Sequence, residues 1–109
     1  MPITVVETPQ FIRQADGLLS EDERAALVEY AAHNLEAGDL IQGTGGIRKL
    51  RWALPGRGKS GGARVIYFFH GTTVPAFLLS VFAKNRKVDL TQAERNEMRK
   101  LTAELAETY

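Results

Sequence analysis

Three strand-like segments follow one another between residues 47 and 82, joined only by glycine-containing turns. The first, 47–54, alternates. Leu50, Trp52 and Leu54 fall on one face and Lys49 and Arg51 on the other, because successive strand side chains point to opposite sides. The second, 63–69, is apolar on both faces except for Arg64, which is the pattern of a central strand. The third, 74–82, is another apolar run, with Pro75 at a tolerated early position. Consecutive strands on such short connections predict an antiparallel meander.

Helical signals flank the meander. Thr8 and Pro9 read as the N-cap and first residue of a short helix through Phe11 and Ile12, ended by Gly17. Ser20 and Glu23 form a capping box, and Glu21 and Asp22 suit the positive end of a helix. Leu27, Ala31 and Leu35 then make an apolar stripe, with Gly38 the expected stop. Thr91 and Glu94 form a second capping box, opening a last helix striped by Met98, Leu101 and Leu105. Ile3-Thr4-Val5-Val6 reads as a short strand. The predicted order is β-α-α-β-β-β-α. This is an α+β fold, a small antiparallel sheet with two N-terminal helices and a C-terminal helix packed to one side. With 109 residues, 44% hydrophobic and 25% charged, the expectation is one domain over 1–109 with one modest core.

The formal net charge of +1 conceals a division. Residues 1–46 hold eight acidic and two basic side chains, and 88–109 hold five acidic and three basic. Residues 47–87 hold nine basic side chains and no carboxylate. Such asymmetry points to a polyanionic partner, nucleic acid above all. With no cysteine, disulfide scaffolds and thiolate metal sites are excluded, and a reducing compartment fits. No apolar run is long enough to span a bilayer. Met1-Pro2-Ile3-Thr4 lacks the basic and apolar regions of a secretory leader, so the expected location is cytoplasmic.

Several familiar chemistries fail on spacing. Gly58-Lys59-Ser60 resembles the end of a phosphate-binding loop, but Ala53 stands where that motif needs glycine and a strand follows where it needs a helix. The segment reads instead as a basic hairpin tip. His33 and His70 lack partners at metal-ligand spacing, and no serine has a nucleophile-elbow context. No metal or cofactor is expected. What remains is Lys49, Arg51, Arg64, Lys84, Arg86 and Lys87, offered by three successive strands to a common region. Arginine suits bidentate contact with phosphate oxygens, and Arg64 is the most telling member, a charge inside an apolar strand. Most of Trp52, Tyr67, Phe68, Phe69, Phe77 and Phe82 read as core. Trp52 or Tyr67 is the candidate for stacking on an RNA base, although strand parity turns Tyr67 away from Arg64.

The run Gly43-Thr44-Gly45-Gly46-Ile47-Arg48-Lys49 resembles the HigB-type branch of the RelE toxins. So do Gly62-Ala63-Arg64-Val65-Ile66-Tyr67 and Phe82-Ala83-Lys84-Asn85 with Asp89-Leu90 beyond it, and the likeness covers nearly the whole chain. It implies a toxin of a bacterial type II toxin–antitoxin pair that cuts mRNA in the ribosomal A site. The implied partners are the ribosome with its message and a protein antitoxin, a helix-turn-helix protein of the HigA kind. By position, Lys49, Arg51, Arg64 and Lys84 match the family's catalytic cations. Arg48, Arg57, Lys59, Arg86 and Lys87 are the expected RNA-binding residues. The best-known pattern has arginine immediately after the strand-exit lysine and tyrosine near the start of the last helix. Here those positions hold Asn85 and Thr91, and Arg86 or Lys87 is left to replace the arginine.

A metal-independent route follows from the chemistry of RNA. The 2′-hydroxyl is an internal nucleophile, so the protein need only align it, take its proton and stabilise charge on phosphorus. Arg64 is the expected phosphorane stabiliser, and Lys49 or Lys84, crowded by like charge, the expected base. Two alternatives stay open at this level. Toxins of the same fold act on DNA gyrase, and a non-catalytic RNA-binding module would carry the same cations.

Overall fold

The computed structural model describes residues 3–54, 62–71, 74–84 and 90–108. In chain order they form β1 (Val5–Glu7), α1 (Pro9–Asp16), α2 (Glu21–His33), β2 (Asp39–Leu40), β3 (Ile47–Trp52), β4 (Ala63–Phe68), β5 (Ala76–Ala83) and α3 (Gln92–Thr108). The strands make one sheet in the order β1-β5-β4-β3-β2.

The α+β class and the antiparallel meander hold. β3, β4 and β5 pair antiparallel in sequence order, with the apolar β4 central and all six of its residues buried. Two features extend the sequence reading. β1 enters parallel to β5, where the Thr4 carbonyl accepts from the Ala76 N–H at 2.9 Å. The long chain between these strands permits a parallel neighbour, which a tight turn could not. β2 is a two-residue strand paired with β3. The 43–46 turn folds it back, with the Thr44 hydroxyl donating to the Ile41 carbonyl at 2.6 Å and accepting from the Ile47 N–H at 3.2 Å.

Local signals set the helix starts. Thr8 caps α1, with Pro9 at its first turn and Gly17 at its end. Both capping boxes form: Ser20 with Glu23 (2.8 and 3.1 Å) and Thr91 with Glu94 (2.8 and 3.1 Å). α2 stops at His33, short of the expected Gly38. The segment after it folds around the Tyr67 hydroxyl, which donates to the Leu35 carbonyl at 2.7 Å and accepts from the Gly38 N–H at 2.9 Å. Gly38 is small because of this approach: a Cβ there would lie 2.8 Å from the tyrosine oxygen.

The helices do not share one side of the sheet, contrary to expectation. α1 and α2 bury Phe11, Ala15, Leu27 and Ala31 against Leu50, Val65, Tyr67, Leu78 and Val81. α3 covers the opposite face, where Met98 and Leu105 pack near Ile47, Ile66, Phe68, Phe77 and Leu79. The physical reason is the doubly apolar β4. A strand buried on both faces needs cover on both, and α1 and α2 can supply only one.

A bulge interrupts β5. Ile66 pairs with Ser80 but Tyr67 pairs with Leu78, so one extra residue is accommodated at Leu79. The Gln14 side chain of α1 secures it, its carbonyl accepting from the Ser80 hydroxyl at 2.9 Å and from the Val81 N–H at 3.0 Å. Leu78 and Val81 therefore both face α1 and α2, while Phe82 joins the α3 face.

Candidate nucleic-acid interface

Strand alternation distributes the cations. Leu50 and Trp52 in β3 pack towards α1 and α2, which leaves Lys49 and Arg51 on the α3 face. Ala63 and Val65 in β4 point towards α1 and α2, so Arg64 also lies on the α3 face.

Three successive cross-strand rows then read outward from the cover of α3. Ile47, Phe68 and Phe77 form an apolar row. Lys49 lies across from Ile66, next to the bulge. Arg51, Arg64 and Phe82 form the third row. Beyond it, the Lys84 N–H donates to the Gly62 carbonyl at 2.9 Å, which places Lys84 where the chain leaves β5, beside the start of β4. Lys49, Arg51 and Arg64 thus share one face of the sheet, and the backbone of Lys84 adjoins its end.

Arg64 is the least accessible of them, at 8% exposure. Its guanidinium donates to the adjacent Ala63 carbonyl at 3.2 Å, and among the described residues it has no carboxylate partner. The acids of α2 stand behind the other face, where Arg24 binds Glu7 at 2.6 Å. Directly opposed like charges destabilise a sheet pair, and Arg51 is the direct partner of Arg64. A phosphate would offset the charge of both arginines.

The remaining sequence candidates divide. Arg48 alternates away from Lys49 and donates to the Gly38 carbonyl at 2.7 Å and the Glu36 carbonyl at 3.3 Å, so it fastens the segment after α2 and does not join the cluster. Arg57, Lys59, Arg86 and Lys87 lie outside the described residues. Neither aromatic candidate faces the cations. Trp52 packs on Tyr30 with ring centroids 5.5 Å apart, and Tyr67 is 1% exposed. Burial raises the Tyr67 phenol above its ordinary 10.0, against the lowering effects of the Gly38 hydrogen bond and Arg48. His33 reaches the Glu29 carbonyl at 3.0 Å and His70 stacks on Phe68.

Arg95 is a cation that sequence reasoning missed. It lines a hollow of about 250 Å³ together with Lys49, Asp39 and Gln42. It sits on α3 within an acidic segment, so only the packing of α3 onto this face links it to Lys49. Among the described residues, no cluster of three or more His, Asp or Glu could hold a metal ion. No helix among them is long and apolar enough to cross a membrane.

The fold is similar to that of the E. coli toxin RelE, solved as an arginine-to-alanine double mutant in the free state. The superposition has a TM-score of 0.59 at 17% identity and covers 94% of this chain and 98% of that one. The sequence itself matches, over residues 4–109, the family described as the RelE toxin of the RelE/RelB toxin–antitoxin system. A match of that span, on this sheet and helix arrangement, makes the chain a member of the RelE toxin family, the toxin half of a pair that includes a cognate antitoxin.

Proposed function

We propose that this toxin is a ribosome-dependent endoribonuclease that cuts message in the A site, with Lys49, Arg51, Arg64 and Lys84 as its working face. One observation carries the reading. Arg64, nearly buried, stands across from Arg51 with no carboxylate partner among the described residues. A sheet that holds two guanidiniums in this way is built for an anion with several oxygens.

The chemistry is transesterification within the RNA. The 2′-oxygen attacks the adjacent phosphorus, and its proton passes to Lys49 or Lys84 acting as base. The bond from phosphorus to the 5′-oxygen breaks, and that oxygen takes a proton from whichever of the two lysines did not act as base. The products are a 2′,3′-cyclic phosphate and a 5′-hydroxyl. Arg64 neutralises the charge that grows on the phosphorane oxygens, and Arg51 holds the strand. Protein cations supply the neutralisation, so the reaction proceeds without a metal.

Primer extension on message from translating ribosomes tests this. Cleavage within the A-site codon is expected, and Arg64→Ala is expected to lose it. The cognate antitoxin, a HigA-like helix-turn-helix protein in this reading, abolishes it. Intact message together with inhibited DNA supercoiling would overturn the proposal in favour of gyrase as the target.

A further inference from the structure

We propose that Phe82 is a stacking platform for an RNA base, set beside the phosphate-binding arginines by the bulge in β5. This rests on the reading of the face as an RNA site and adds a nucleobase subsite to it.

The position follows from register. Arg51, Arg64 and Phe82 occupy one row across β3, β4 and β5. Directly opposed side chains in such a row begin about 4.5–5.5 Å apart. A phosphate held at Arg64 therefore brings its own nucleoside over a row neighbour. One neighbour is the cationic Arg51, which suits a second phosphate. The other is an aromatic ring, which suits a base. Phe82 packs against the α3-side cluster yet is only half-buried, so it retains accessible surface.

The bulge gives the placement its specificity. In an unbroken strand, Phe82 would share the face of Leu78 and turn towards α1. The extra residue reverses the phase, and the two hydrogen bonds to the Gln14 carbonyl hold the reversal. Bulges commonly re-aim a side chain next to a functional site. Trp52 packs on Tyr30, and Tyr67 is held by the 35–38 segment, both on the opposite face of the sheet. The subsite accepts any base, because every base offers a π-face.

The test measures binding of a single-stranded RNA hexanucleotide across a salt series, alongside A-site cleavage on translating ribosomes. Phe82→Leu is expected to weaken binding by about fivefold or more while leaving the salt slope unchanged, since stacking removes no phosphate contact. Phe82→Trp retains the parental affinity. Arg51→Ala lowers the slope instead. Phe82→Met, apolar and similar in volume, repeats the loss if the leucine variant folds poorly. Parental binding and cleavage in folded Phe82→Leu or Phe82→Met would overturn the subsite and leave the nuclease reading intact. A parent that neither binds the oligonucleotide nor cleaves message would overturn that reading and the subsite with it.

Discussion

Arg51 and Arg64 are direct cross-strand partners, two arginines on the same face of the sheet. Opposed like charges are unfavourable to folding, and in the proposed reading they serve an anion, so that reading sets stability and activity in opposition there.

That opposition predicts the behaviour of Arg64→Met. An apolar side chain of similar reach replaces a nearly buried charge that lacks a carboxylate partner among the described residues. Such replacements are commonly neutral or stabilising. Thermal unfolding is therefore expected to show an unchanged or raised midpoint. Cleavage of ribosome-bound message falls by about 10²–10³-fold, the usual cost of removing one donor to a developing oxyanion. A large drop in the midpoint would show instead that Arg64 is a structural residue.

Gln14 acts on the same face from a distance. Its carbonyl is the acceptor for both Ser80 and Val81 at the bulge. Gln14→Glu keeps an acceptor there and is expected to preserve cleavage to within a few-fold. Gln14→Met leaves the Val81 N–H without its partner, at a cost of about 1–3 kcal/mol. It also frees β5 to lose the phase that places Phe82 on the α3 face. Cleavage then falls more in apparent affinity for programmed ribosomes than in maximal rate. Equal loss in both variants would separate Gln14 from the site.

Local chemistry was legible in the sequence and long-range geometry was not. Thr8, Ser20 and Thr91 announce helix starts because a cap is completed within four residues. Lys49 and Arg51 announce a shared face because a strand alternates. The side on which α3 lies depends on which sheet face α1 and α2 have already covered, and no residue of α3 encodes that. The bulge depends on Gln14, 66 positions before Ser80. The apolar run 74–82 conceals it, since leucine, valine and phenylalanine serve equally on either face. Arg95 went unnoticed for the same reason, its neighbour Lys49 being supplied by another element.

Tyr67 gives a pH prediction. Burial raises its phenol above 10.0, so the folded protein keeps the proton to higher pH than the unfolded chain. Above 10.0 the unfolded state has lost a proton that the folded state still holds, and deprotonation then favours unfolding. The stability linked to Tyr67 is full below 10.0 and declines as pH rises past it. Tyr67→Phe is expected to lower stability near neutrality by about 1–3 kcal/mol, because the Leu35 carbonyl and the Gly38 N–H lose their partner. The same variant loses less on going to alkaline pH than the parent does. Denaturant titrations at neutral and alkaline pH measure both effects.

The 43–46 turn is the polar anchor of α3. Thr102, buried at 3% exposure, donates to the Thr44 carbonyl at 2.9 Å, and Gly45 beside it adopts φ +76°. A Cβ on Gly45 would meet the Thr102 hydroxyl oxygen at 2.8 Å. Gly45→Ala therefore carries two costs: about 1 kcal/mol for the left-handed backbone, and a steric cost that exists only while Thr102 is present. Thr102→Ala removes the clash but leaves the Thr44 carbonyl without this donor, costing about 1 kcal/mol by itself. In a double-mutant cycle the two substitutions together are expected to cost less than the sum of the singles, by about 0.5 kcal/mol or more. Strict additivity would mean that α3 gives way at Thr102 at no cost, and that the anchor is looser than the close contact requires.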